Sequence, residues 1–324
     1  MSKVHKNFSD NKKLMKKIEK EIKNNAFGVF FGLIIGDALG AAVEFKARDT
    51  FEKLTDMRAG GPHGLDAGYW TDDSSMALCL AESLTEKDFN LEDQLQRYIK
   101  WYKEGYLSST GNCFDIGNIT ANSLEHYEKN GELPPARERA AGNGSLMRLA
   151  PVPIYYRNDF KEAVKYSGKS SLTTHNNQMA IDSCRYLGAL IQQFINSRFK
   201  VEAFKIKVIK ETALDINLND EVLGAINGSF EKHRDEIKST GFVIHTLEAS
   251  LWSFLNTDSF DEAVLLAANL GDDADTVAAV TGQLAGSYYG FNSIPEKWID
   301  KLVHYPLLKD IAEKLYKIKQ QGNN

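Results

Sequence analysis

Apolar residues recur at helical spacing along most of the chain. The pattern is clearest in DSSMALCLAESL (73–84), LEDQLQRYIKWY (91–102), DIGNITANSLEHYEK (115–129) and NQMAIDSCRYLGALIQQFI (177–195). It returns in VIHTLEASLWSFL (243–255), FDEAVLLAANL (260–270) and DTVAAVTGQLAGSYYG (275–290). Each of these segments predicts an amphipathic or buried helix. APVPIYY (150–156) comes nearest to a strand, but its prolines argue against one. The connections, such as RAGGPHGLDAGYW (58–70) and PPARERAAGNGS (134–145), carry Gly, Asn and Pro. No fixed-period repeat and no internal linker is visible. The expectation is an all-α protein with a single compact multi-helix domain over residues 26–320.

Residues 1–25 differ in charge. Eight lysines stand there against Asp10, Glu19 and Glu21, while Leu14, Met15, Ile18 and Ile22 form a thin apolar stripe. This basic extension is either a solvated helix or an arm that binds a partner. The run AFGVFFGLII (26–35) follows it and invites comparison with a signal peptide. Acids interrupt the basic region, however, and Asp37 closes the apolar run after about ten residues, where a membrane span needs roughly 20. A cytoplasmic chain without a membrane anchor is expected. The last residues, KIKQQGNN (317–324), read as a fraying tail.

Composition adds exclusions. A net charge of −5 gives no basic field for nucleic acid. Cys79, Cys113 and Cys184 lie far apart with no CxxC pair, which speaks against a disulfide framework or a zinc site and for a reducing compartment.

Two acidic clusters carry the candidate chemistry. Thr71, Asp72 and Asp73 precede one apolar periodic segment; Asp272, Asp273, Asp275 and Thr276 open another. Acids and hydroxyls at a helix start can simply cap it and favour its dipole. Yet one cap needs one side-chain oxygen, and each cluster offers three or more. Carboxylates and hydroxyls without matching Cys or His suit Mg²⁺, Mn²⁺ or Ca²⁺. Five carboxylates exceed what one Mg²⁺ usually neutralises, which points to two ions. Spacing alone leaves capping and cation binding both open.

Taken in order, GLIIGDALGAAVEF (32–45), WTDDSSMAL (70–78), GNCFDIGNIT (111–120), NGSLMRLAPVPI (143–154) and NLGDDADTVAAVTGQLAGSYYG (269–290) resemble the ADP-ribosylglycohydrolases, the family of dinitrogenase reductase-activating glycohydrolase. SLTTH (171–175) and GFVIHTLEASLW (241–252) add to the likeness, which spans roughly residues 26–300. The resemblance implies an all-α fold with two divalent cations, Mg²⁺ or Mn²⁺, at the bottom of an ADP-ribose cleft. By position, the metal ligands would be Thr71, Asp72, Asp73, Asp273, Asp275 and Thr276. Asp272 stands where many members have glycine and is set aside.

The same resemblance implies hydrolysis of the N-glycosidic bond of an ADP-ribosylated protein. Glu44 and Asp115 would handle protons, and in arginine-directed relatives the Asp of the DIGN motif lies near the scissile bond. The alternatives are an exposed helix-end acid for Glu44 and an N-cap of helix 115–129 for Asp115. Asn143, Gly144 and Ser145 would cradle the diphosphate, His175 would lie near the ribose, and Phe242 would stack on adenine where relatives often carry Tyr. Arg148 either faces the phosphates or is engaged internally. The implied activity reverses an ADP-ribosyltransferase by releasing arginine, in regulation or in immunity to an ADP-ribosylating toxin. Two alternatives stay open: a binding protein that blocks a transferase toxin through residues 1–25, and the same fold acting on ADP-ribosyl-serine or a small ADP-ribose ester.

Overall fold

The computed structural model describes residues 2–138, 141–197 and 202–318. Among these residues it contains helices and no β-strand. The front of the chain forms α1 (Ser2–Gly40), α2 (Asp72–Lys87), α3 (Leu91–Glu104), α4 (Asn118–Asn130), α5 (Pro151–Tyr155) and α6 (Phe160–Ser171). The middle forms α7 (Gln178–Asn196), α8 (Glu202–Asp215), α9 (Asp220–Glu231) and α10 (Val243–Leu255). The remainder forms α11 (Phe260–Ala268), α12 (Ala274–Tyr289), α13 (Glu296–Ile299) and α14 (Tyr305–Lys317).

The expected helices are present with shifted ends. The one expected over 115–129 starts at Asn118, because Asp115 adopts a positive φ of 59° that cannot continue a helix. APVPIYY is the short helix α5, with proline at its first turn where a missing N–H costs nothing. Helices α6, α8, α9 and α14 were not among the expected segments, although α14 buries Leu308, Ile311, Ala312, Leu315 and Tyr316 at helical spacing. In α8, FKIKVIK (204–210) even alternates at period two, and the helix overrides that pattern.

α1 and α12 form the antiparallel centre. Their backbones touch: a Cβ added at Gly32 would stand 2.2 Å from the carbonyl oxygen of Gly282, and one at Gly40 would stand 2.4 Å from that of Ala274. The glycine spacing thus lets two helices approach without side chains between them. α12 is buried from Ala274 to Tyr288. α1 is buried from Asn25 onward, where the Asn25 amide donates to the carbonyl of Ile195 at 3.1 Å.

α1 runs unbroken across the expected boundary at residue 25. Lys13–Lys17 are exposed, including Leu14 at 51% and Met15 at 64%, whereas Ile22 packs on the core. Lys23 pairs with Glu313 of α14 at 2.7 Å. By length and composition one stretch, Lys13–Gly40, is apolar enough to cross a membrane; 83% of its apolar window is buried inside the fold. Of the expected C-terminal tail, Lys317 ends α14, and residues 319–324 lie outside the described residues.

Candidate active site

Five helices among the described residues are capped by their own N-cap side chain. Asn90, Asp159, Asn177, Asn219 and Ser259 each accept a backbone N–H at the start of α3, α6, α7, α9 and α11. The acidic clusters behave differently. Thr71 and Asp273 occupy the N-cap positions of α2 and α12, and neither side chain makes a capping bond. The start of α2 is satisfied instead by Asp37 on α1. Its Oδ1 accepts the Thr71 amide at 2.9 Å and its Oδ2 accepts the Ser74 amide at 2.9 Å. Asp72 and Asp73 are left free of that duty.

The free carboxylates meet at the crossing of α1, α2 and α12. Carboxylate oxygens of Asp37, Asp73 and Asp275 lie within 4.8 Å of one another, all buried. The Thr71 hydroxyl lies 2.9 Å from Asp37 Oδ1 and 3.2 Å from Asp275 Oδ2, and the Thr276 hydroxyl donates to Asp73 Oδ1 at 3.3 Å. Asp73 Oδ2 and Asp275 Oδ1 have no hydrogen-bond partner although both are buried. Burial first, and neighbouring acids second, push Asp72, Asp73 and Asp275 well above the usual carboxylate range. Burial also raises Asp37, to about 6, against the hydrogen bonds it accepts. Unpartnered, mutually repelling buried oxygens are costly unless a cation joins them. The donor set is all oxygen and fits a hard divalent ion.

Asp273 is held from the other side. Asn143 Nδ2 donates to its Oδ2 at 2.7 Å and also reaches Thr246 Oγ1 at 2.9 Å. Asn143 therefore contacts a candidate ligand, while its neighbour Ser145 does not reach the cavity. The Ser145 hydroxyl is buried and accepts from Ser171 Oγ at 2.8 Å.

Glu44 and Asp115 face each other above this cluster. Glu44 is only 3% exposed, which excludes the exposed helix-end alternative, and its Oε2 has no hydrogen-bond partner. Burial, and then the charges of Asp115 and Asp273, raise Glu44 to about 9. Asp115 does not cap α4, whose N-cap is Gly117. Burial raises it too, while His63 opposes the rise from 3.2 Å. His63 was not anticipated from sequence; its signal was one histidine in a glycine-rich connection.

These groups open onto a cavity of about 650 Å³, lined among others by Glu44, Asp72, Asp115, Asn143, Asp275 and His175. Gly142 and Gly144 also line it, and a Cβ at Gly144 would meet the His175 ring at 2.7 Å. Arg148 is engaged internally beneath this loop. It donates to the Gly144 carbonyl at 2.7 Å and to Thr173 and Thr174 at 2.9 and 2.7 Å, with its guanidinium over the Tyr98 ring. Thr174 Oγ1 lies 2.8 Å from His175 Nδ1. Burial, with Arg148 adding to it, lowers His175 to about 3, so the ring is neutral at physiological pH. Phe242 does not line the cavity; it is half-buried beside it, edge-on to His245. Phe45, which sequence did not single out, lines the rim at 66% exposure. Phe45 and Asp272 both have positive φ, 58° and 53°, and Phe45 N–H donates to the Asp272 carbonyl at 2.7 Å. That backbone conformation accounts for the glycine expected in relatives at position 272.

An all-α scaffold with candidate oxygen ligands at two helix starts beside a cavity fits a site for a hard divalent cation. The match to known proteins narrows the class: the family model "ADP-ribosylglycohydrolase" covers residues 19–324, and the chain belongs to that family. It is 43% identical over 302 residues to ADP-ribosylarginine hydrolase Tri1 of Serratia proteamaculans, covering 92% of this chain and 80% of the relative. It is 29% identical to the ADP-ribosyl-[dinitrogen reductase] glycohydrolase of Rhodospirillum rubrum, covering 87% and 91%. A solved structure titled "ADP-ribosylglycohydrolase-related protein complex" superposes with a TM-score of 0.81 at 37% identity, covering 92% of this chain and 99% of that one.

Proposed function

We propose that the protein removes ADP-ribose from modified protein arginine, reversing an ADP-ribosyltransferase, with two Mg²⁺ or Mn²⁺ ions held by Thr71, Asp72, Asp73, Asp273, Asp275 and Thr276. The observation that carries the proposal is the pair of orphaned buried oxygens, Asp73 Oδ2 and Asp275 Oδ1, the second of them on a residue that lines the cavity together with Glu44 and Asp115. The arginine linkage is supported by the activity for which the Serratia relative and its counterpart in Pseudomonas putida, 39% identical over 301 residues, are named.

When bound, divalent cations polarise ribose oxygens and lower the pKa of water. The chain's residues do the rest. Cleavage at the anomeric carbon passes through an oxocarbenium-like state and needs a proton delivered to the leaving nitrogen. Glu44, held protonated by burial, is the acid for that step; Asp115 receives the departing guanidinium. Neutral His175 and the Gly142–Gly144 backbone hold the ADP-ribose by hydrogen bonds.

A second proposal concerns residues 1–25, which we treat as an extension of the catalytic unit 26–320. Exposed Lys13, Lys16 and Lys17 beside Leu14 and Met15 offer a basic, partly apolar face to an acidic partner such as a transferase toxin. A cytoplasmic location is supported by three free cysteines.

The test is release of free ADP-ribose from arginine-ADP-ribosylated protein, with Mg²⁺ or Mn²⁺ and with chelator, for wild type and Asp273→Asn. Metal-dependent release that the variant loses is expected. No release by protein that binds ADP-ribose overturns the arginine linkage and directs attention to serine-linked substrate. Deleting residues 1–17, which removes that face, should leave release intact and weaken a stoichiometric toxin complex.

A further inference from the structure

The connection between α1 and α2 contains a tight glycine-rich turn with no role so far. Gly60 and Leu65 exchange both backbone hydrogen bonds, at 2.9 and 3.0 Å, and Gly60, Gly61 and Gly64 all have positive φ. A Cβ at Gly61 would stand 1.8 Å from the carbonyl oxygen of Ala41, so the turn is pressed against the chain three residues before Glu44. At its tip stands His63. Its Nε2 lies 3.2 Å from Asp115 Oδ1 and 3.9 Å from Glu44 Oε2, and its ring rests on Phe114, with centroids 5.1 Å apart.

Asp115 needs such a partner. It lies in a glycine-flanked connection at positive φ, with no helix ladder to hold it. Burial and the charge of Asp273 both disfavour its ionised form, which a hydrogen bond from Glu44 only partly offsets. Without a partner, a carboxylate in that setting turns outward or takes a proton. We propose that His63 is a positioning residue: the Gly60–Leu65 turn holds its imidazole against Asp115 and so keeps that carboxylate aimed at the departing group. The proposal rests on the hydrolase assignment above for its consequence in catalysis, and on the turn's geometry for the contact itself.

The experiment uses the full chain with His63→Ala, His63→Gln, Asp115→Asn and the double variant His63→Ala/Asp115→Asn. On arginine-ADP-ribosylated protein, His63→Ala should lower kcat by about 10–100-fold, the usual cost of losing a partner of this kind, with KM changed by less than about threefold. Gln, which can donate to Asp115, should recover much of the loss. The double variant should be no slower than Asp115→Asn alone. Additive losses, or a Gln variant as slow as Ala, overturn the proposal. Side-chain carboxyl NMR of Asp115 in chelator provides the second readout, independent of turnover. Its titration midpoint should rise in His63→Ala, and an unchanged midpoint overturns the proposal as well. Wild type without activity sinks the hydrolase assignment and leaves the NMR to decide on His63.

Discussion

Asp37 caps a helix it does not belong to: its Oδ2 accepts both the amide of Ser74, at 2.9 Å, and the hydroxyl of Ser74, at 2.5 Å. A buried acid on α1 thereby does for α2 what Thr71, Asp72 or Asp73 would otherwise do. The division of labour leaves Asp73 Oδ2 without a partner, available to a cation.

Asp37→Ala should therefore hurt twice. Two buried amides lose their acceptor, which costs about 1–3 kcal/mol. The freed start of α2 should also swing Asp72 and Asp73 into the vacated capping role. Thermal melts in chelator should show the first effect, and calorimetric Mn²⁺ titration should show weakened binding as the second.

Asp275→Asn should have opposite effects with and without metal. The substitution removes a buried charge that faces other acids, so the melting temperature in EDTA should stay equal or rise, by up to about 1–3 kcal/mol of stability. The gain that wild type shows on adding Mn²⁺, about 2.7 kcal/mol at one hundred times Kd, should vanish. A variant that is less stable in EDTA and still gains from Mn²⁺ would contradict the proposed role.

Stability of the metal-free chain should fall as pH rises. Asp37 goes from 3.8 when unfolded to about 6 in the fold, and Glu44 from 4.5 to about 9. In both windows the folded state binds more protons than the unfolded one. Their contribution is complete below the unfolded values and is lost as pH climbs through the folded ones. The melting temperature in EDTA should thus drop from pH 5 to pH 8, and saturating Mg²⁺ or Mn²⁺ should abolish or reverse the drop, because the metal competes with those protons.

Arg148→Lys should separate substrate binding from metal binding. A lysine cannot bridge the Gly144 carbonyl and the Thr173 and Thr174 hydroxyls at once. The Gly142–Gly144 loop and His175 lose their support, so ADP-ribose affinity should fall about tenfold or more. Mn²⁺ affinity should change little. Isothermal titration with each ligand reads the two separately.

The helix class, seven of the fourteen α-helices among the described residues and both acidic clusters were legible in the order of residues, because 3.6-residue periodicity and grouped carboxylates are local features. Sequence could not choose between capping and cation binding at Thr71–Asp73. That choice depends on Asp37, 34 positions away from Thr71, and on whether its carboxylate reaches the helix start first. Nor could spacing distinguish Ser145, turned inward to Ser171, from Asn143, turned to Asp273, two residues apart in one loop. His63 came into view only through the turn that sets it against Asp115. Helices follow from local backbone preference and apolar period; the site follows from which buried polar atoms are satisfied by distant neighbours and which are left over, and only the packed chain decides that.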